Sequence, residues 1–253
     1  MTFIKKSDAR ELILSSKNLA QGLPEKFRYI DNVSASAQFS YESLLALKKY
    51  YKNKKFIIID LRQETHLFIN GQAVHVKTKC NWGNINKTLE EIVNQENKLV
   101  EEIKQFNTIT LYKQDTEEAI KFPIYSVHTE KQLVESLGIE YVRLPVLDHK
   151  HPSSDVVEKF VKLVKNSKSI IHFHCAAGKG RSTTFLAMYD IVHNAVLKSY
   201  NQIIETQLLN HGSNLIVPGI KYYLQDEGCF DMNDFLARTR FLKNFYKKYS
   251  HIL

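Results

Sequence analysis

Short apolar runs alternate with amphipathic stretches along this chain, and the alternation predicts most of its regular structure. Lys55-Phe56-Ile57-Ile58-Ile59-Asp60-Leu61 is a β-rich run ending in charge, the pattern of a buried strand. Between Lys87 and Lys104, Leu89, Ile92, Val93, Leu99, Val100 and Ile103 share one helical face. Residues 109–112 and 140–146 read as strands, the second stopped by the loop 147–152. Ser153 or Ser154 is placed to cap a helix carrying Val156, Val157, Phe160, Val161 and Val164. Residues 169–173 are apolar apart from His172 and read as a strand. Residues 181–197, 202–209 and 231–249 read as helices.

Strands alternating with helices predict an α/β fold with a mostly parallel central sheet flanked by helices. Ligands of such sheets bind beyond the carboxyl ends of the strands. No repeat or glycine- and proline-rich linker divides the 253 residues, so the chain holds one core, or a core with a smaller insert.

Composition narrows the class. With 43% hydrophobic and 25% charged residues the chain resembles an ordinary soluble protein. No apolar run is long enough to span a bilayer, and Met1 to Asp8 lacks the apolar core of a secretory signal. The expectation is a soluble protein with its compartment left open. A net charge of +8 favours anionic partners, but the lysines lie scattered among glutamates. No nucleic-acid motif with interleaved aromatics accompanies them, so no nucleic-acid partner is expected. Cys80, Cys175 and Cys229 form no paired spacing of the kind a zinc site or disulfide framework uses. Cys80 and Cys229 read as small buried hydrophobes; no metal or cofactor is expected.

Cys175 is different. It opens His174-Cys175-Ala176-Ala177-Gly178-Lys179-Gly180-Arg181-Ser182, between the strand at 169–173 and the helix from 181. A strand, a glycine-bearing loop and a helix start make an anion cradle of inward-pointing N–H groups at the positive end of a helix. Gly178 and Gly180 let the backbone curl tightly. Arg181, six residues after the cysteine, is spaced to close over a tetrahedral anion and hold two of its oxygens. Thiols beside cations and helix N-termini ionise more readily than free cysteine, which suits Cys175 to nucleophilic attack on phosphorus. Ser182 is placed to donate a hydrogen bond to that sulfur.

Attack on a phosphate ester needs a proton donor for the leaving oxygen. Asp148, in Leu147-Asp148-His149-Lys150-His151-Pro152, follows the preceding strand and is the candidate; as a bare turn or cap residue it would have no such task. His149 is placed to orient it or to touch substrate, and is equally at home as a surface histidine.

These residues resemble the protein tyrosine phosphatase superfamily, in which the loop His-Cys-x-x-Gly-x-Gly-Arg-Ser/Thr recurs. The remainder resembles the phytase-like branch, the cysteine phytases. Asp60-Leu61-Arg62-Gln63-Glu64-Thr65-His66 with Phe68-Ile69-Asn70-Gly71, Asn81-Trp82-Gly83-Asn84, and Phe27-Arg28 with Ser36-Ala37-Gln38-Phe39-Ser40 are similar to its signatures. Thr206 to Gly212 is similar to a Gln-His-x-x-Gly-Gly stretch, departing from it at the histidine and first glycine. The resemblance implies a phosphatase core, 1–66 and 129–253, with a small partial β-barrel domain inserted at 67–128. It implies stepwise, metal-independent removal of phosphates from myo-inositol hexakisphosphate through a phosphocysteine. Carried over, Cys175 is nucleophile, Asp148 general acid and then base, Arg181 the transition-state clamp, Ser182 the sulfur's donor and Gln207 a water-positioning residue. Arg62, His149 and the loop residues His174, Ala176, Ala177, Gly178, Lys179 and Gly180 would bind substrate. The resemblance is also compatible with export from a bacterium.

Lys179 adds a second cation to the loop, suited to a ring carrying close to ten negative charges by the usual charge of a phosphomonoester. For Arg62 the bland alternative is an ion pair with Glu64 or Asp148. Two other readings stay open: a phosphotyrosine, dual-specificity or phosphoinositide phosphatase with identical loop chemistry, and a catalytically silent phosphate-binding module. The second predicts a damaged nucleophile, arginine or acid, and all three are intact.

Overall fold

The computed structural model describes residues 11–52, 54–224 and 228–250; Met1 to Asp8 falls outside them. In chain order the strands are β1 (Leu12–Leu14), β2 (Arg28–Ile30), β3 (Val33–Ser36), β4 (Phe56–Arg62), β5 (His66–Ile69), β6 (Gln72–Val76), β7 (Thr108–Lys113), β8 (Ala119–Pro123), β9 (Val127–His128), β10 (Glu140–Val146) and β11 (Ile170–His174). The helices are α1 (Tyr41–Tyr50), α2 (Leu89–Ile103), α3 (Glu130–Ser136), α4 (Ser154–Asn166), α5 (Gly180–Asn194), α6 (Tyr200–Leu209), α7 (Ile220–Leu224) and α8 (Met232–Tyr249).

Five strands in the order β10-β4-β11-β3-β2 form the central sheet, parallel except for the β2–β3 hairpin. That hairpin turns on Asp31-Asn32, both left-handed, as the favoured two-residue turn requires. β4 is buried along its whole length because helices cover both faces. On one face Val156, Phe160 and Val164 of α4 pack with Phe185 and Met188 of α5, Ile203 of α6 and Leu242 and Phe245 of α8. On the other, Leu44 and Leu47 of α1 meet Leu133 and Val134 of α3. His172, the polar exception in β11, is fully buried yet satisfied: Ser34 Oγ lies 2.8 Å from Nδ1 and Ser36 Oγ 3.0 Å from Nε2.

A second sheet, β8-β7-β1-β6-β5-β9, stands where a partial barrel was expected. Its β5–β6 hairpin turns on Asn70-Gly71. Ile92, Leu99, Val100 and Ile103 of α2 are buried as the helical pattern predicts, and the last three pack on Leu67, Ile69, Val74 and Leu111. Leu12–Leu14, upstream of the boundary at 67, is hydrogen-bonded into this sheet between β6 and β7. Ser153, one of the two serines expected to cap α4, takes its N-cap position, without a side-chain hydrogen bond among the described residues. Among the described residues no helix is long and apolar enough to cross a membrane.

The reading of Cys80 and Cys229 as unpaired hydrophobes is overturned. They form a disulfide with Cα atoms 5.2 Å apart, joining positions 149 residues apart in sequence. Chain spacing carries no trace of such a pair, because tertiary folding alone brings the two together.

Candidate active site

The loop from Cys175 to Lys179 leaves the carboxyl end of β11 and runs into α5. Its shape is set by groups beneath it. The Gln38 N–H donates to Ala176 O at 3.0 Å, and Arg28 Nη1 to Gly178 O at 2.9 Å. Gly178 is left-handed (φ +66°), and a Cβ there would lie 2.4 Å from Ala37 N, so both conformation and space demand glycine. At Gly180 a Cβ would stand 2.9 Å from Arg238 Nη1. Arg238, from α8, is therefore a buried cation against the loop that the sequence reading missed. Its distance along the chain hid it.

Cys175 is buried, and Ser182 Oγ donates to its Sγ at 3.2 Å, as expected from the sequence. Arg181 is buried too. Its Nη1 and Nη2 grip the two oxygens of Glu64 at 2.7 and 2.9 Å, Nη1 also reaches Val146 O at 3.1 Å, and Nη2 lies 3.2 Å from Asp148 Oδ1. Nε is buried without a hydrogen-bond partner among the described residues, a donor left for a ligand. Burial opposes the Arg181 charge, but Asp148 and Glu64 outweigh it and hold the group well above its ordinary range. Burial likewise opposes the Glu64 carboxylate, and Arg181 and Arg62 hold it well below the usual range.

Arg62 is buried beside this pair. Its Nε lies 2.9 Å from Glu64 Oε1 and its Nη1 2.5 Å from Gln38 Oε1. The guanidinium is buried, so the ion pair with Glu64 is what the structure contains. His174, expected at the substrate, turns its ring inward: Nε2 is 2.6 Å from Glu130 Oε1, and the residue is fully buried. Glu130 also lies 3.2 Å from His66 Nε2, while Asp60 pairs with Arg143 at 3.1 Å and accepts from Tyr141 OH at 2.8 Å. Asp60, His66 and Glu130 bring ligand-type atoms within 4.8 Å of one another. Arg143 and the imidazole of His66, whose basicity the Asp60 carboxylate raises, already neutralise those carboxylates, so the donor set suits a buried ion-pair network better than a cation.

Asp148 stands on the loop after β10, part-exposed. Beyond Arg181 and the adjacent His149, whose N–H donates to Oδ1 at 3.2 Å, its partners come from far along the chain. Asn81 Nδ2 donates to Oδ2 at 2.9 Å, and Trp82 Nε1 to the Asp148 carbonyl at 3.0 Å. His149 follows it in a left-handed conformation (φ 66°), with its ring 4.4 Å from that of Phe230. Burial pushes the His149 imidazole below its ordinary value despite Asp148 beside it. Lys179 and Ala177 are exposed on the loop, as a rim contact requires. Gln207 is buried beside the start of α5, where Gly212 fits between its carbonyl and Thr183; its Oε1 has no hydrogen-bond partner among the described residues.

With this geometry in hand, three comparisons are informative. The PTP-like phosphatase of Mitsuokella multacida, solved in complex with myo-inositol-(1,3,4,5)-tetrakisphosphate, is 28% identical and superposes with a TM-score of 0.85 over 97% of this chain and 46% of its own. The PTP-like phytase of Bdellovibrio bacteriovorus is 30% identical, with a TM-score of 0.78 over 99% of this chain and 92% of its own. The effector hopD2 of Pseudomonas syringae pv. tomato is 24% identical over 167 residues, covering 62% of this chain and 36% of the effector. The chain thus spans half or less of two of these relatives and nearly all of the third. The PTP-like phytase family model, described as inositol hexakisphosphate, matches residues 59–193. That match runs from the strand bearing Asp60 to the helix behind Cys175, over half of the chain, and the protein belongs to the PTP-like phytase family.

Proposed function

We propose that the chain is a cysteine-dependent phosphatase that removes phosphates from inositol polyphosphates. The observation that carries the reading is the convergence on the buried Arg181 of the nucleophile's loop and the Asp148 carboxylate, 3.2 Å away. The phosphate of the substrate would lie in the loop, with Arg181 Nε and the loop amides as donors. Cys175 attacks phosphorus, the ester bond breaks, and Asp148 gives its proton to the departing alkoxide. Water then attacks the phosphocysteine with Asp148 taking its proton, phosphate leaves, and the sulfur leaves as thiolate under the Ser182 hydrogen bond.

Glu64 keeps the guanidinium at the loop from behind, and an arriving phosphate competes with Asp148 for its outer edge. Lys179 adds positive charge at the exposed edge of the loop, and the buried Arg238 adds it beside Gly180. Family membership and the inositol tetrakisphosphate held by the Mitsuokella protein support inositol phosphates as the substrate class. A phosphatase core with residues 67–128 as a small domain fits the two sheets, with Leu12–Leu14 completing the six-stranded one.

The test is phosphate release from myo-inositol hexakisphosphate against a phosphotyrosyl peptide, with EDTA present and Cys175→Ser as control. Cysteine-dependent release from the inositol substrate is expected. Release mainly from the peptide would move the substrate assignment to phosphoproteins, and release from neither would make the chain a silent phosphate binder.

A further inference from the structure

The disulfide joins two segments that both contact the Asp148 loop. Cys80 lies in a short helical turn, Lys79–Asn81, and both Cys80 and Asn81 are left-handed, at φ 56° and 60°. Such a conformation in two successive non-glycine residues persists only where surrounding contacts over-determine it. Here they do. Cys80 is bonded to Cys229, and the next two side chains, Asn81 and Trp82, hold the Asp148 carboxylate and carbonyl.

The next two residues of the loop are held by the segment that starts at Cys229. Phe230 packs on His149, and Asp234 accepts from Lys150 Nζ at 2.5 Å. Lys150 Nζ also sits 4.7 Å over the Trp82 ring and so touches both segments. An open cavity of about 460 Å³ lined by Thr78, Lys79, Cys80, Trp82, Gly83 and Gly228 lies beside the disulfide.

We propose that the Cys80–Cys229 disulfide, acting through Asn81, is a positioning device for the proton donor. With Oδ2 held by Asn81, Asp148 directs Oδ1 toward Arg181, where the ester oxygen would arrive. A dithiol reductant cuts the bond by exchange. One of its sulfurs displaces a cysteine thiolate, its second sulfur releases the other, and the reductant leaves as a cyclic disulfide. The two electrons and two protons end on Cys80 and Cys229. The turn at 79–81 then loses one of its two anchors, and proton donation falls while the Cys175 loop, built from other contacts, keeps its shape. This inference rests on Asp148 being the general acid.

The experiment compares kcat and KM on inositol hexakisphosphate, which has an alcohol leaving group, and on p-nitrophenyl phosphate, which has an easily departing phenol. The proteins are the oxidised chain, the chain in dithiothreitol, Asn81→Ala, the double variant Cys80→Ser/Cys229→Ser and Asp148→Asn. Non-reducing mass spectrometry should first find the Cys80–Cys229 link in the oxidised chain. Reduction, the double variant and Asn81→Ala should each lower kcat on the inositol substrate roughly tenfold to a hundredfold, the scale of a small misplacement. KM and the aryl phosphate rate should barely change, and dithiothreitol should have no effect on the double variant, which separates the clamp from any reactivation of Cys175. Absence of the link, an unchanged inositol rate, or equal losses on both substrates would overturn the proposal. If Asp148→Asn itself loses equally on both substrates, it is the general-acid reading that fails, whatever the disulfide variants do.

Discussion

The two halves of the site are built in opposite ways. The nucleophile's half is nearly contiguous: Cys175, Gly178, Arg181 and Ser182 occupy one strand-to-helix turn, buried and held largely through backbone atoms. The proton donor's half is a single carboxyl on a part-exposed loop, oriented by Asn81 and Trp82 on one side and Arg181 on the other. Phosphate recognition can be encoded locally, because one loop supplies all the donors a tetrahedral anion needs. Proton donation depends on where the leaving oxygen falls, so its holder must be aimed by remote parts of the fold.

The largest test of that contrast is Cys175→Ser. Turnover should fall to background on every substrate, while anion binding, followed by calorimetry with a substrate analogue, survives because the cradle remains. Asp148→Asn should cost roughly a hundredfold to ten-thousandfold in kcat on an alcohol leaving group and far less on a phenol. Equal losses would erase the distinction between the halves.

Gly178→Ala strikes the scaffold of the first half. Its Cβ would meet backbone only 2.4 Å away in a left-handed conformation, so a loss of about 1–3 kcal/mol in unfolding stability is expected, with activity falling on both substrates alike. Denaturant titration together with both assays checks this.

A gentler probe is pH. Burial and Arg62 oppose the charge on His66, but the Asp60 carboxylate outweighs them and the imidazole is pushed up to about 9. A histidine raised on folding stabilises fully below its unfolded value of about 6.5 and loses that contribution as pH climbs through the folded one. Melting temperature should therefore decline between those limits, and His66→Gln should flatten the decline. The smallest effect belongs to Lys179→Ala. An exposed cation contributes at most about 1 kcal/mol, so KM for inositol hexakisphosphate should rise by up to about fivefold, and less at high salt.

The catalytic loop was legible because its chemistry and its spacing coincide within one segment. Asp148 was legible as a candidate, since it follows a strand that the apolar pattern already marked. Asn70-Gly71 and Asp31-Asn32 carried hairpin signals that the strand reading passed over, and the short strands beside them lack a long enough alternation to stand out. The roles expected of Arg62 and His174 illustrate the opposite limit. Both lie in segments that reach the site, yet the pleat of β4 and β11 and the pairing with Glu64 and Glu130 turn their side chains inward.

The sequence by itself determined the α/β alternation and the anion-binding loop, since each depends on residues within a few positions of one another. Tertiary structure decided the rest. Only folding carries Arg238 to Gly180, Asn81 to Asp148 and Cys80 to Cys229, because contacts between distant segments depend on how helices and sheets pack and leave no periodicity in the chain.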